Sequence, residues 1–104
     1  MFIEQRAVSR KTPLDGKLEI SAATALRLHT LGPNFTVLAN GQEARAQLVE
    51  LTCTCAKGGG NGAHAHHFVE SDALRSLEPG TDVRLAIDDA RPGSLSVEPA
   101  AISG

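Results

Sequence analysis

Residues 51–70, LTCTCAKGGGNGAHAHHFVE, constrain the fold more than any other part of the chain. They hold both cysteines and three of the four histidines, set on either side of a glycine-rich loop. Cys53 and Cys55 are separated by one residue, as are His64 and His66, so on extended backbone each pair projects from one face of its strand. Two thiolates and two imidazoles then converge across a hairpin. Such a set suits Zn2+, which takes Cys sulfur and His nitrogen in a four-ligand tetrahedron and leaves no open position when all four come from protein. His67 faces away from His66 in a regular strand and neighbours the site; a bulge that shifted the register would make His67 the fourth ligand instead. The competing reading is two small buried thiols and a few solvated histidines beside a flexible loop. Against it, five of the six Cys and His residues fall within fifteen positions.

Cysteine chemistry also bears on the compartment. In extended chain the Cα atoms of residues i and i+2 lie about 7 Å apart, at the upper limit for a disulfide, so a Cys53–Cys55 bridge is strained and metal ligation is favoured. Thiolate ligands are at home in a reducing environment. Residues 1–10 contain no signal-peptide apolar region and no segment approaches a membrane span, so the expectation is a cytoplasmic protein. With 104 residues, 41% hydrophobic and 21% charged, the chain suits one domain with its own core. Three Phe with no Tyr or Trp leave that core to Leu, Val, Ile and Ala, and make stacking platforms for single-stranded nucleic acid hard to build.

Along the chain, residues 2–8, FIEQRAV, suit a first strand with an imperfect apolar pattern. Residues 12–16, TPLDG, read as a turn, and KLEI at 17–20 alternates as a short strand. Ser21 is an N-cap for a helix whose stripe is formed by Ala22, Ala23, Ala25, Leu26 and Leu28 and which Gly32 and Pro33 terminate. FTVLA at 35–39 is followed by Asn40-Gly41, the residue pair best suited to a two-residue type I′ hairpin turn. The returning strand covers residues 43–55. KGGGNGA at 57–63 is a loop, residues 63–70 resume as a strand, and Ser71 caps a second short helix, DALRSL. DVRLAI and LSVE then make a last strand pair, with Val83, Leu85 and Ile87 on one face.

A shift of 46 residues aligns Leu28 with Leu74, Leu31 with Leu77, Pro33 with Pro79 and Val37 with Val83. Each half reads strand, Ser-capped helix, turn, strand, hairpin, strand. The expected fold is therefore mainly β with two short helices: a single zinc-stapled domain over residues 1–104, built as a small pseudo-symmetric β-barrel from two interlocked β-α-β-β units. Residues 16–32, GKLEISAATALRLHTLG, resemble the short strand, small-residue turn and helix of AbrB-like swapped-hairpin regulators, and half of a plant-type DNA-binding pseudobarrel. That resemblance covers about a sixth of the chain, implies a barrel and raises the prospect of DNA contact. The CTC and HAHH cluster has no counterpart in those families. Gly58, His64, His66 and Glu70 are spaced as in the first cupin motif, but no later His completes a cupin metal site.

The net charge of −2 supplies no global attraction to nucleic acid. Its distribution is uneven: residues 1–27 carry five basic against three acidic groups, and residues 70–104 three basic against seven acidic. Arg6, Arg10, Lys11 and Lys17 are the candidate nucleic-acid contacts, with a solvated strand edge as the alternative. Arg6 and Arg10 reproduce the RxxxR of cyclic-dinucleotide-binding PilZ barrels, without the motif that follows it there. KGGGNG lacks the Lys-Ser/Thr ending of a phosphate loop and serves better as a connector between ligand pairs. The expected function is a small recognition or accessory module with a structural Zn2+, contacting DNA or a protein partner, without membrane association, as monomer or homodimer. The alternative is a small zinc-dependent metalloenzyme, a hydrolase or cupin-like protein, with Cys53, Cys55 and His64 holding the metal and Glu70 or His67 beside its water.

Overall fold

A computed structural model of the chain describes residues 2–32, 34–53, 64–87, 90–91 and 93–100, with the side chains of Cys53 and His64 outside that description. Seven strands, β1 (Phe2–Ala7), β2 (Lys17–Ile20), β3 (Phe35–Ala39), β4 (Gln42–Cys53), β5 (His64–Ser71), β6 (Asp82–Ile87) and β7 (Ser94–Pro99), form one sheet in the order β1-β6-β7-β3-β4-β5-β2. The sheet curls into a nearly closed barrel, mainly β with two short helices, α1 (Thr12–Asp15) and α2 (Ala22–His29), and a 3₁₀ turn, Asp72–Ser76. All neighbouring strands are antiparallel except β3 and β7. The two halves interlock. β3 of the first half lies between β4 and β7, and β5 of the second lies between β4 and β2. Each half presents a strand, a Ser-capped helical segment and a hairpin, but their neighbours differ: β4 pairs with β5, whereas β7 pairs with β3.

Alternation sets the core. Phe35, Val37 and Ala39 of β3, Leu18 and Ile20 of β2, Val83 and Leu85 of β6 and Leu95 and Val97 of β7 are all buried, because successive side chains of a strand point to opposite faces. The β3–β4 hairpin turns through Asn40 (φ 50°) and Gly41 (φ 77°), both left-handed as a type I′ turn requires. Asn40 Nδ2 also donates to the Ser76 carbonyl at 2.9 Å, fastening this turn to the 3₁₀ segment. Among the described residues no helix is long and apolar enough to cross a membrane.

Three local expectations need correction. Residues 12–15 form a single helical turn, because Pro13 presets φ at the start and Gly16, at φ 70°, closes it by donating its N–H to the Thr12 carbonyl at 2.8 Å. In α2 the buried face is Thr24, Ala25 and Leu28, while Ala22 and Ala23 are exposed and Leu26 stays 71% exposed. Steps of three and four keep residues 24, 25 and 28 on one face, and residue 26 falls away from it. The segment after Ser71 is 3₁₀ rather than α. The imperfect pattern of β1 has its cause in a register shift between Phe2 and Glu4, which leaves Phe2 exposed with the Arg84 guanidinium 4.7 Å above its ring. The 57–63 loop, Pro33, Asp88 and Asp89 lie outside the described residues.

Candidate functional site at the barrel seam

The β4–β5 ladder is regular from Ala46 opposite Ser71 to Cys53 opposite His64. Its alternation assigns positions 49, 51 and 53, with 68, 66 and 64 across from them, to the outward face, and positions 46, 48 and 50, with 71, 69 and 67, to the face that reaches the core. The two expected ligand pairs therefore contribute positions 53, 64 and 66 to a single face at one end of the ladder. Cys55 lies outside the described residues. Among the described residues no three His, Cys, Asp or Glu side chains form a group able to hold a metal ion.

β2 adds the partner that the sequence did not reveal. It pairs with β5 so that Glu19 stands opposite Phe68, diagonal to His66 on the same outward face. His66 Nδ1 and Glu19 Oε2 lie 2.9 Å apart, with the side chains 36% and 47% exposed. A carboxylate on one ring nitrogen orients the imidazole, a partner that metal-ligating histidines commonly have. The only sequence cue for Glu19 was its outward position in the alternating KLEI. His67 faces the other way. Its Nε2 lies 3.9 Å from Glu50 Oε2, and both line a cavity of about 150 Å³ with Ala25, His29 and Leu48. Because the ladder carries no bulge, His67 stays on the face opposite to positions 64 and 66. Glu70 is four residues from His66, about 13 Å along a strand, and accepts a hydrogen bond from Gln47 Nε2 at 2.7 Å.

The end strands of the curled sheet, β1 and β2, face each other across a seam, where Glu4 of β1 reaches the residues that follow β2. Glu4 Oε1 accepts from the Ser21 hydroxyl at 2.7 Å, from the Ser21 backbone N–H at 3.4 Å and from the Thr24 hydroxyl, while Oε2 pairs with Arg6 Nε at 3.4 Å. A cavity of about 450 Å³ opens at this seam. Arg6 and Ala7 of β1, Lys11, Asp15 of α1, Lys17 and Glu19 of β2, and Leu51, His66 and Phe68 of the β4–β5 ladder line it, together with Ser9 and Thr12. Three of the four basic residues singled out from the sequence are thus brought together with His66. Arg10 is exposed and does not line the cavity.

The lining has two kinds of polar group. Glu19 is bound to His66, and Asp15 Oδ1 accepts from the Lys17 backbone N–H at 3.0 Å. The ammonium groups of Lys11 and Lys17 make no ion pair or hydrogen bond among the described residues. Between them lies apolar surface: Leu51 is 47% exposed and Phe68 half-buried. The site can therefore hold an anion by charge and an apolar group by contact. Comparison with protein-family models, with curated proteins and with solved structures gave no match to this chain.

Proposed function

We propose that this chain is a non-catalytic recognition module, cytoplasmic, whose β4–β5 hairpin is stapled by a structural Zn2+ on Cys53, Cys55, His64 and His66 and whose basic seam contacts DNA or a protein partner. The observation that carries the metal reading is the ladder register, which pairs Cys53 with His64 and keeps His66 on their face. The Glu19 carboxylate on His66 Nδ1 adds to it, because metal-ligating histidines commonly carry such a carboxylate on the ring nitrogen that does not bind the metal. Thiolate ligands of this kind belong in a reducing compartment. A structural rather than catalytic metal is favoured by the positions of the two candidate bases: Glu70 is two pleats away and bonded to Gln47, and His67 is on the opposite face.

Chain purified without chelators is expected to carry one zinc, and its cobalt-substituted form to show a four-coordinate spectrum with thiolate charge transfer. A water-bearing or open coordination sphere would overturn the structural reading in favour of the metalloenzyme. Cys53→Ser, or removal of zinc by a chelator, is expected to unfold at least residues 48–68, since the ligands would tie β4 to β5 and their binding energy would become folding energy. Unchanged thermal stability in both would exclude the staple. For DNA contact, a mobility shift with a short duplex at low salt is expected to weaken steeply as salt rises, because phosphate contacts release counterions.

A further inference from the structure

We propose that the seam cavity is a binding site for a small organic anion: one phosphate or carboxylate group carried on a compact apolar body. The inference rests on reading the seam as the binding surface and is independent of the zinc. Its first support is size, because about 450 Å³ lies within the range of small-molecule sites, roughly 300–1,000 Å³. The second is the imbalance of satisfied and unsatisfied charge. Both carboxylates of the lining are engaged, Glu19 by His66 and Asp15 by the Lys17 backbone, and Arg6 is paired with Glu4. Lys11 and Lys17 have no counter-charge among the described residues. Two ammonium groups on flexible stems can close on one anionic group without demanding the planar geometry that a guanidinium imposes. The third is the apolar surface of Ala7, Leu51 and Phe68 in the same lining, which an inorganic ion would leave wet and a hydrocarbon body would cover. Charge and apolar contact together select a molecule with both.

The His66–Glu19 pair sets the orientation. The same pair links β5 to β2, so the cavity wall that carries it is held by strand pairing as well as by the side chains. The anion faces the lysines, and the apolar body lies over Leu51 and Phe68. A duplex is too wide to enter a cavity of this volume, and its phosphates would be met at the rim, where Arg10 is also available.

The test is an amide chemical-shift titration of the full chain as purified with phenyl phosphate, beside inorganic phosphate and benzyl alcohol as its two halves. Phenyl phosphate is expected to shift the amides of Ala7, Lys11, Lys17, His66 and Phe68 saturably and to bind about tenfold or more tightly than either half, as expected when a second favourable contact of ~1.4 kcal/mol is added. Lys11→Gln with Lys17→Gln, neither of them a core position, should lower that affinity about tenfold while leaving the melting temperature unchanged. Leu51→Gln should weaken phenyl phosphate and leave inorganic phosphate unaffected. Binding no tighter than inorganic phosphate, shifts confined to another surface, or indifference to the double lysine change would each overturn the proposal. If a duplex is bound and phenyl phosphate is not, the small-anion site fails and the DNA reading survives; the reverse result supports the cavity and removes DNA. Arg10→Gln, outside the cavity, should alter only the duplex arm.

Discussion

Gly16 shows how much one residue can be required to do. Its φ of 70° closes α1 in the left-handed region, its carbonyl accepts the Ser71 N–H at 2.8 Å, and a Cβ placed on it would lie 2.9 Å from the Ser71 carbonyl oxygen. Gly16→Ala therefore combines a left-handed penalty with a clash against backbone, and denaturant unfolding is expected to show a loss of about 2 kcal/mol. Glu43 is a second residue whose environment has a measurable consequence. Hydrogen bonds from the Arg91 guanidinium, first, and from the Thr36 hydroxyl at 3.1 Å hold its carboxyl below the ordinary glutamate value. A group with a depressed folded-state pKa contributes stability above its unfolded value, and that contribution disappears as pH falls through the folded value. A carboxyl NMR titration is expected to find the Glu43 midpoint below the ordinary range and returned toward it in Arg91→Gln; because the pair is exposed, added salt should erase most of the difference. Neither feature was visible in the sequence. Gly16 read as the end of a turn, and the Glu43–Arg91 pair joins residues 48 positions apart.

At the level of elements, local chemistry carried most of the information. Ser21 caps α2 by accepting the Thr24 N–H at 3.2 Å, and Ser71 accepts the Ala73 N–H at 3.3 Å at the start of the 3₁₀ turn. Ser21→Ala should cost about 1 kcal/mol from the lost cap, with more from the hydroxyl it withdraws from Glu4, and thermal unfolding measures it. Asn40-Gly41 and the alternation of β6 were likewise readable, since each depends on residues adjacent in sequence. The buried face of α2 was not, because an eight-residue helix has little more than two turns of pattern, and the sheet it packs against decides which face is covered. The bulge in β1 had no signal beyond a broken apolar alternation. It comes from fitting that strand to β6.

For the whole molecule, closure depends on the seam. Glu4, its side chain only 15% exposed, reaches from β1 to Ser21 and Thr24 at the start of α2, just beyond the β2 edge, and pairs with Arg6 on its own strand. Glu4→Ala is expected to cost about 2 kcal/mol, because the two hydroxyls lose their acceptor, and to raise amide exchange in β1 while β3 and β4 remain protected; uniform exchange rates would show that the seam is held by something else. The same closure forms the cavity in which Arg6, Lys11 and Lys17 join His66, which lies 49 or more positions from each of them in sequence. What the sequence determined by itself was the β-rich class, the hairpin at Asn40-Gly41, the capping serines and the clustering of Cys and His residues around one loop, all consequences of short-range periodicity and turn chemistry. Only the tertiary structure decided that β3 runs beside β7, that Glu19 stands behind His66 and that the basic residues share a cavity with the outward face of β5. Those are relations between strands distant in the chain, and they follow from how the sheet buries Leu18, Val37, Val69, Leu85 and Leu95 against one another, a requirement that no local stretch of residues contains.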